Sequence, residues 1–342
     1  MCFRRRNNYM RVVAATAAVL CFALTLGVAR AQDKTYTMKI SIATINDQIH
    51  AFAKNFGAAI EKDSGGRIKA EIYPASQLGS IPRQTEGVQF GAIQCQVVPP
   101  DFLVGVDERF EVMATPGLVE SMVQGQRLAA DPEVLKLMLG LGADKGVHGA
   151  GLFMVNPSAV AAKTPVRHLA EFKGKKIRIF ASAFQSVAWD RLGATPVAMS
   201  LGDVLPALQQ GAIDGAVAST AVFTAFHYQD AAKYVTETGQ PAIFAIVEIS
   251  KKWYDGLPPD LQQVIDKAAA RESVAVNPQA TEITQNSRKV WTDTGGELIS
   301  LPPDEQAAML KLLASVGADV SKEKPLLNAA YKIVSEAAAR AR

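Results

Sequence analysis

The chain has 342 residues, of which 49% are hydrophobic and 20% are charged, with a formal net charge of +3 at pH 7. A chain of this length can bury a substantial core, and chains above about 250 residues usually divide into more than one domain. Nothing in the charge suggests a nucleic-acid partner, which needs clustered positive charge on the folded domain.

The first 31 residues are typical of a secretory signal peptide. A group of arginines within residues 4–11 precedes an apolar run over 12–28, and the sequence Ala-Arg-Ala follows at 29–31. A basic start, a short apolar middle and a small-residue cleavage motif define such a signal, so a retained membrane helix is the weaker interpretation. We therefore predict cleavage before Gln32 and a periplasmic protein.

Cleavage at this point would change both the charge and the cysteine content of the chain. The remaining residues include 31 basic and 33 acidic side chains, a formal charge of −2. Cys2 and Cys21 would leave with the signal, so Cys95 could form neither an internal disulfide nor a structural thiolate metal site. Since the four histidines also lack ligand spacing, we predict no metal and no cofactor.

Residues 37–98 predict a β-α-β-α-β unit. Met38, Ile40 and Ile42 alternate with polar neighbours, as expected of a strand. Apolar residues at helical spacing follow, and the segment "RIKAEIYP" then alternates again. A short helix and the apolar run "GAIQCQVVPP" complete the unit.

The same order of elements returns after residue 175. The segment "KKIRIF" predicts a strand, and Ser182-x-x-Gln185 has the form of a capping box that opens a helix. The segments "TPVAMS" and "AIDGAVAS" predict two more strands, with a helix between them. Both units carry Gln-x-Gly-Ala-Ile just before the third strand, which favours a duplicated architecture, and the region 251–342 is predicted to be helical.

Polar residues stand at the predicted strand ends, where α/β proteins bind ligands against helix N-termini. In the second unit these residues are Arg178, Ser182 and Ser219, and in the first unit they lie within 44–46 and 99–102. The sequence lacks the common motifs of metalloproteases, redox dithiols, serine hydrolases and P-loop nucleotidases. A secreted hydrolase or lyase is therefore the weaker alternative to a binding protein.

Arg178 stands in an apolar strand and projects away from Ile177 and Ile179, on the side of Phe180. The residues alone leave two interpretations open. The side chain could face solvent, or its guanidinium could bind a ligand carboxylate through two parallel hydrogen bonds. Burial of an arginine without an anion costs several kcal/mol, so the second arrangement favours a filled site.

The chain resembles the solute-binding proteins of tripartite ATP-independent periplasmic (TRAP) transporters, of the C4-dicarboxylate type. The resemblance is carried by "SGGRIKAEIYPASQLGS", "LAEFKGKKIRIFAS", "LGATPVAMSLGDVLPALQQGAIDGAVAS" and "ISKKWYDGLPPDLQQVI". It implies a two-lobed α/β fold of the class II periplasmic-binding-protein type, with a hinge and an interlobe cleft that closes on a small organic acid. It also implies a receptor without catalytic residues, which docks on a membrane permease, and it places the family's carboxylate-binding arginine at Arg178.

On this basis we predict a first lobe over 32–155, a second lobe over 156–250 and helices over 251–342 that return across both. The chain lacks a second arginine between Phe153 and Val166 and has "GAVA" at 215–218 in place of a more polar run. These departures disfavour a sialic-acid-like ligand. Aromatic residues near the strand ends of the second unit leave an aromatic or medium-chain carboxylate as the alternative to a small dicarboxylate. A signalling receptor, and a monomer or a dimer, remain open. The predicted ligand-binding residues are Arg178, Phe180, Ser182, Ser219, Phe223, Asn156, Gln77, Thr44 and Asn46.

Overall fold

The computed structural model describes residues 34–342. The predicted signal peptide and its cleavage site before Gln32 lie outside these residues. Within the described range, none of the helices combines the length and the hydrophobicity needed to cross a bilayer. Cys95 is a free, buried thiol in this part of the chain.

The strands of the described residues form two sheets. Their bounds are Tyr36–Ile42 (β1), Ile68–Tyr73 (β2), Cys95–Val98 (β3), Val147–Pro157 (β4), Ala159–Ala162 (β5), Lys176–Ile179 (β6), Thr195–Ala198 (β7), Gly215–Ala218 (β8), Tyr234–Glu237 (β9), Ala242–Ser250 (β10) and Glu297–Ser300 (β11). The first sheet has the order β2-β1-β3-β10-β4, and the second has the order β11-β9-β5-β8-β6-β7.

Helices connect these strands in the same range. Their bounds are Gln48–Asp63 (α1), Ile81–Phe90 (α2), Met122–Ala129 (α3), Pro132–Gly140 (α4), Ala183–Arg191 (α5), Leu201–Gln210 (α6), Thr220–Ala225 (α7), Lys251–Tyr254 (α8), Pro259–Ala275 (α9), Asn277–Asp293 (α10), Pro303–Leu313 (α11), Val316–Ser321 (α12) and Pro325–Arg340 (α13). Two 3₁₀ segments, Pro100–Leu103 and Glu108–Ala114, follow β3.

The predicted α/β class and both β-α-β-α-β units are confirmed. β1 pairs in parallel with β3, so that Ile42 lies opposite Val97, and β6 pairs in parallel with both β7 and β8. Because parallel strands point the same way, their carboxyl ends meet at one edge of each sheet. This arrangement places the polar residues that follow β1 and β3 together, and likewise those that follow β6 and β8.

The chain changes sheet more than once. β4 belongs to the first sheet and β5, which follows it directly, belongs to the second. β10 then pairs with β3 and β4 in the first sheet, although the sequence analysis assigned residues up to about 250 to the second lobe. β10 is buried along its whole length, as expected of a central strand covered on both faces.

The helices after β10 contact elements of both sheets. On the side of the first sheet, Arg271 of α9 forms an ion pair with Asp63 of α1. On the side of the second sheet, the hydroxyl of Thr224 donates to the carbonyl of Ser287 in α10, at 3.1 Å. Trp291 of α10 is fully buried and packs beside Phe223.

Candidate functional site

A small cavity of about 40 Å³ lies between the carboxyl ends of strands from both sheets. The first sheet contributes residues that follow β1 and β3, namely Ala43, Thr44, Asp47, Ile49, Pro99 and Phe102. The second sheet and its helices contribute Arg178, Phe180, Leu201, Ala218, Ser219 and Val222. Ile81, Val155 and Ile243 complete a lining that is mostly apolar.

On the side of the first sheet, the cavity adjoins the N-terminus of α1. The chain leaves β1 at Ile42, and Asp47 then caps the helix. Its Oδ1 atom accepts hydrogen bonds from the backbone N–H of His50 at 2.9 Å and from the Thr44 hydroxyl at 2.8 Å. Asp and Asn are preferred at this position because a side-chain oxygen satisfies an N–H group that the helix leaves free.

On the side of the second sheet, Arg178 of β6 is the dominant polar group. Its side chain is 1% exposed. The Nε atom donates to the carbonyl of Met199 and Nη1 donates to the carbonyl of Val217, each at 2.9 Å. A guanidinium carries five N–H donors, so three remain without a protein partner in residues 34–342.

The guanidinium of Arg178 also lies beside two aromatic rings. Its central carbon lies 4.9 Å from the ring centroid of Phe180 and 5.8 Å from that of Phe102. The two rings stack on each other with their centroids 5.1 Å apart. Cation–π contacts of this kind hold the planar guanidinium in place.

Burial lowers the pKa of Arg178 to about 10, and the nearby Tyr228 and Asp101 oppose this shift. The side chain therefore stays protonated at neutral pH. Burial also raises the pKa of Asp101 to about 7, so this carboxyl offers only a partial negative charge to balance the guanidinium. The region around Arg178 consequently retains positive charge that a ligand anion can neutralise.

Gln185 links Asp101 to the second unit. Its Nε2 atom donates to Oδ1 of Asp101 at 2.8 Å, and its Oε1 accepts from the backbone N–H of Phe180 at 3.1 Å. The amide therefore fixes the backbone beside Arg178. In the predicted capping box, the side chain of Gln185 would instead have accepted a hydrogen bond from the backbone N–H of Ser182.

The N-terminus of α5 is occupied by a protein carboxylate. Oε2 of Glu111 accepts from the backbone N–H of Ala183 at 2.7 Å and from the Ser182 hydroxyl at 3.3 Å. Burial raises the pKa of Glu111, and these hydrogen bonds oppose the shift. Anions are stabilised at helix N-termini, so Glu111 takes the position that the sequence analysis offered to a ligand.

Four of the predicted ligand-binding residues line the cavity: Arg178, Phe180, Thr44 and Ser219. Ser219 caps α7, where its hydroxyl accepts from the backbone N–H of Val222 at 3.4 Å. Arg178 supplies a buried positive charge among the lining residues, so the cavity can accept an anion.

The other predicted residues do not line this cavity. Ser182 caps α5, and Phe223 packs in the core against Tyr228, with their ring centroids 5.4 Å apart. Asn156 is buried and accepts from the Thr284 hydroxyl at 2.6 Å. Gln77 and Asn46 are exposed.

Sequence reasoning missed three acidic residues around the site. Asp47 lies one residue beyond the predicted segment 44–46, and an aspartate before a helix is expected from its capping role alone. Asp101 falls within the predicted segment 99–102, but only its contact with Gln185 reveals its burial. Glu111 gave no sequence signal, because its partners lie more than 70 residues along the chain. Within residues 34–342, no cluster of His, Cys, Asp and Glu is arranged to hold a metal ion.

Comparisons with known proteins identify the family of the chain. A family model described as "Bacterial extracellular solute-binding protein, family 7" matches residues 41–323. The C4-dicarboxylate-binding periplasmic protein DctP of Rhodobacter capsulatus is 28% identical over 269 residues, which cover 77% of this chain and 80% of that protein.

Solved structures share the fold. A TRAP periplasmic solute-binding protein from Desulfovibrio salexigens with bound orotic acid superposes with a TM-score of 0.85 at 21% identity, covering 90% of this chain and 100% of the other. One from Shewanella oneidensis with bound succinate gives 0.81 at 23% identity, covering 90% and 99%. The resemblance noted in the sequence is confirmed, and the family is one of solute receptors rather than enzymes. The chain belongs to family 7 of the bacterial extracellular solute-binding proteins.

Proposed function

We propose that this protein is the periplasmic receptor of a TRAP transporter and binds a small organic acid in the cavity between its two sheets. The observation that carries this proposal is the state of Arg178. It is a fully buried cation that lines the cavity, and three of its N–H donors lack a protein partner among residues 34–342. A carboxylate can accept two parallel hydrogen bonds from such a group and neutralise its charge.

The lining of the cavity favours an acid with a compact apolar body. Phe102 and Phe180 lie beside the guanidinium, and the lining also includes Ile49, Ile81 and Ile243. Apolar walls with a few fixed polar groups are the usual composition of small-molecule pockets. An aromatic or medium-chain carboxylate matches the apolar character of these walls, and the related structures that hold orotic acid and succinate are compatible with a planar or a short acid.

The proposed assignment divides the ligand contacts between two lobes, each built on one sheet. Thr44 and Asp47 belong to the first lobe, and Arg178, Phe180 and Ser219 belong to the second. A ligand that touches both groups would favour the closed arrangement, since it shifts the equilibrium by its differential affinity for the two states. The closed receptor would then deliver the acid to the membrane permease, after secretion and cleavage before Gln32.

Thermal-shift screening of the chain that begins at Gln32 tests the proposal. The panel should contain aliphatic, aromatic and dicarboxylic acids, each matched with its neutral primary amide. At a concentration about 100 times Kd, a true ligand adds about 2.7 kcal/mol to the free energy of unfolding. We expect acids but not amides to stabilise the protein, and we expect Arg178→Gln to abolish the effect.

Two results would contradict the proposal. Stabilisation by amides as strong as by acids would show that no carboxylate is recognised. Equal responses of the wild type and Arg178→Gln would show that the acid binds elsewhere. Consumption of a stabilising acid during incubation, followed by chromatography, would instead support an enzyme.

A further inference from the structure

The second charged residue of the cavity, Asp47, has an oxygen that the protein does not use. Its side chain is 2% exposed and lines the cavity. Oδ1 accepts the hydrogen bonds from Thr44 and His50, whereas Oδ2 is buried without a hydrogen-bond partner among the described residues. Buried polar atoms are almost always satisfied, so an orphaned oxygen at a cavity wall points to a partner from outside the chain.

Arg178 is not that partner. No hydrogen bond or ion pair joins the two side chains within residues 34–342, and the groups that act on the charge of Arg178 are Tyr228 and Asp101. Asp47 and Arg178 therefore both line the cavity without contacting each other. A ligand whose carboxylate binds Arg178 would present another part of its body to Asp47.

We propose that Oδ2 of Asp47 accepts a hydrogen bond from a hydroxyl or N–H group of the ligand, so the receptor selects carboxylates that carry a donor away from the acid group. This inference rests on the proposed function, because it takes the carboxylate to be held by Arg178. It makes Asp47 a specificity-determining residue and disfavours an unsubstituted dicarboxylate as the ligand.

The charge of Asp47 explains the selection. Burial raises its pKa to about 6, while hydrogen bonds from His50 and Thr44 oppose the shift, so the carboxylate is mostly ionised above neutral pH. A ligand methyl group placed beside Oδ2 would leave this oxygen desolvated and unpaired. A second ligand carboxylate placed there would be repelled by the like charge of Asp47. A donor satisfies the oxygen, and hydrogen bonds to charged acceptors are among the stronger ones.

The capping role of Asp47 can be separated from this role by substitution. Capping uses only one oxygen, and serine is as effective at this position as aspartate. Asp47→Ser therefore keeps an acceptor for the helix and removes the second oxygen. Asp47→Asn also keeps the cap, and it places an amide where the negative charge was.

Isothermal titration calorimetry at pH 8 with matched acids tests the inference. Each set contains a parent acid and its derivatives with a terminal hydroxyl, ammonium or carboxylate, and the sets run from butyrate to octanoate. An aromatic set contains benzoate, para-hydroxybenzoate, para-aminobenzoate and terephthalate. The wild type, Asp47→Ser, Asp47→Asn and Arg178→Gln are compared, with thermal melts to confirm that each variant is folded.

In at least one set, we expect the wild type to bind a donor-bearing acid about tenfold or more tightly than the parent acid, and the dicarboxylate more weakly than either. Asp47→Ser should remove the preference for the donor, and Asp47→Asn should restore binding of the dicarboxylate. The hydroxyl and ammonium members show which donor is preferred.

If parent acids bind the wild type as tightly as their donor-bearing derivatives, or Asp47→Ser keeps the preference, the inference is overturned while carboxylate binding by Arg178 stands. If no acid binds in an Arg178-dependent manner, both the inference and the proposed function fail.

Discussion

Replacement of Arg178 by lysine keeps the positive charge but changes the number and geometry of the donors. The guanidinium donates two N–H groups to the carbonyls of Met199 and Val217, each at 2.9 Å, and three N–H groups remain for a ligand. A lysine ammonium has three donors on one atom, and it cannot bond to both carbonyls and also offer two parallel hydrogen bonds to a carboxylate.

The expected loss of ligand affinity follows from the number of hydrogen-bond donors. At least one charged hydrogen bond to the ligand is lost, and such bonds are each worth about 1.5–3 kcal/mol. We therefore expect Arg178→Lys to weaken binding of the best acid by about 10- to 150-fold. Arg178→Gln removes the charge as well, and breaking a buried ion pair costs about 3–5 kcal/mol, so its loss should be larger.

Isothermal titration calorimetry measures these affinities directly. The matched control is Arg191→Lys on α5, because Arg191 forms an ion pair with Asp319 at 2.5 Å and does not line the cavity. An exposed pair of this kind contributes about 0–1 kcal/mol to stability, so we expect ligand affinity to be unchanged. Wild-type affinity in Arg178→Lys, or an equal loss in both variants, would refute the reasoning.

Three further predictions concern the surroundings of the site. Phe180→Leu removes the ring 4.9 Å from Arg178, and loss of about 0.5–2 kcal/mol of cation–π energy should weaken acid binding by about 2- to 30-fold in calorimetry. Glu111→Ala removes the acceptor for Ala183 N–H and should lower the free energy of unfolding in urea by about 1–3 kcal/mol, whereas Glu111→Gln should cost less. Burial raises the pKa of Glu248 on β10 well above its usual range. The folded state therefore keeps a proton that the unfolded state releases, so the free energy of unfolding falls as the pH rises above about 4. Glu248→Gln should therefore stabilise the protein more at pH 8 than at pH 5.

Each of these predictions can fail in a specific way. Unchanged affinity in Phe180→Leu would mean that the ring does not support the guanidinium. Equal stability of the wild type and Glu111→Ala would mean that water replaces the carboxylate at the N-terminus of α5 without cost. A stabilisation by Glu248→Gln that is the same at both pH values would mean that this carboxyl is not buried in its neutral form.

The order of elements was predictable because apolar periodicity reports local burial. Met38, Ile40 and Ile42 are fully buried in β1, as their alternation indicates. The position of β10 was not predictable in the same way. Its apolar run shows that it is buried, but which sheet it joins depends on pairing with β3 and β4, which are distant in the chain.

The candidate site was predictable where a strand end fixes the direction of a side chain. Arg178 and Phe180 follow from their place at the end of β6, and Ser219 follows from its place after β8. Position relative to a strand end does not give the direction of a side chain inside a helix or a loop. Phe223 lies just beyond Ser219, yet the turn of α7 directs it into the core, and Asn46 adopts a left-handed conformation that leaves it exposed.

The acidic residues show the limit most clearly. Asp101, Glu111 and Asp47 become informative only when their partners are known, since the sequence does not distinguish a buried carboxyl from a solvated one. Their burial follows from contacts between the segment after β3 and α5, and from the closeness of α1 to the second sheet across the cavity. Such contacts join residues far apart in the chain.

The most direct test compares the best acid with its primary amide in the wild type and in Arg178→Gln by calorimetry. We predict that the wild type binds the acid at least about 100-fold more tightly than the amide, and that the difference disappears in the variant. Equal affinities for acid and amide in the wild type, or a preference that survives in Arg178→Gln, would contradict recognition of a carboxylate by this buried guanidinium.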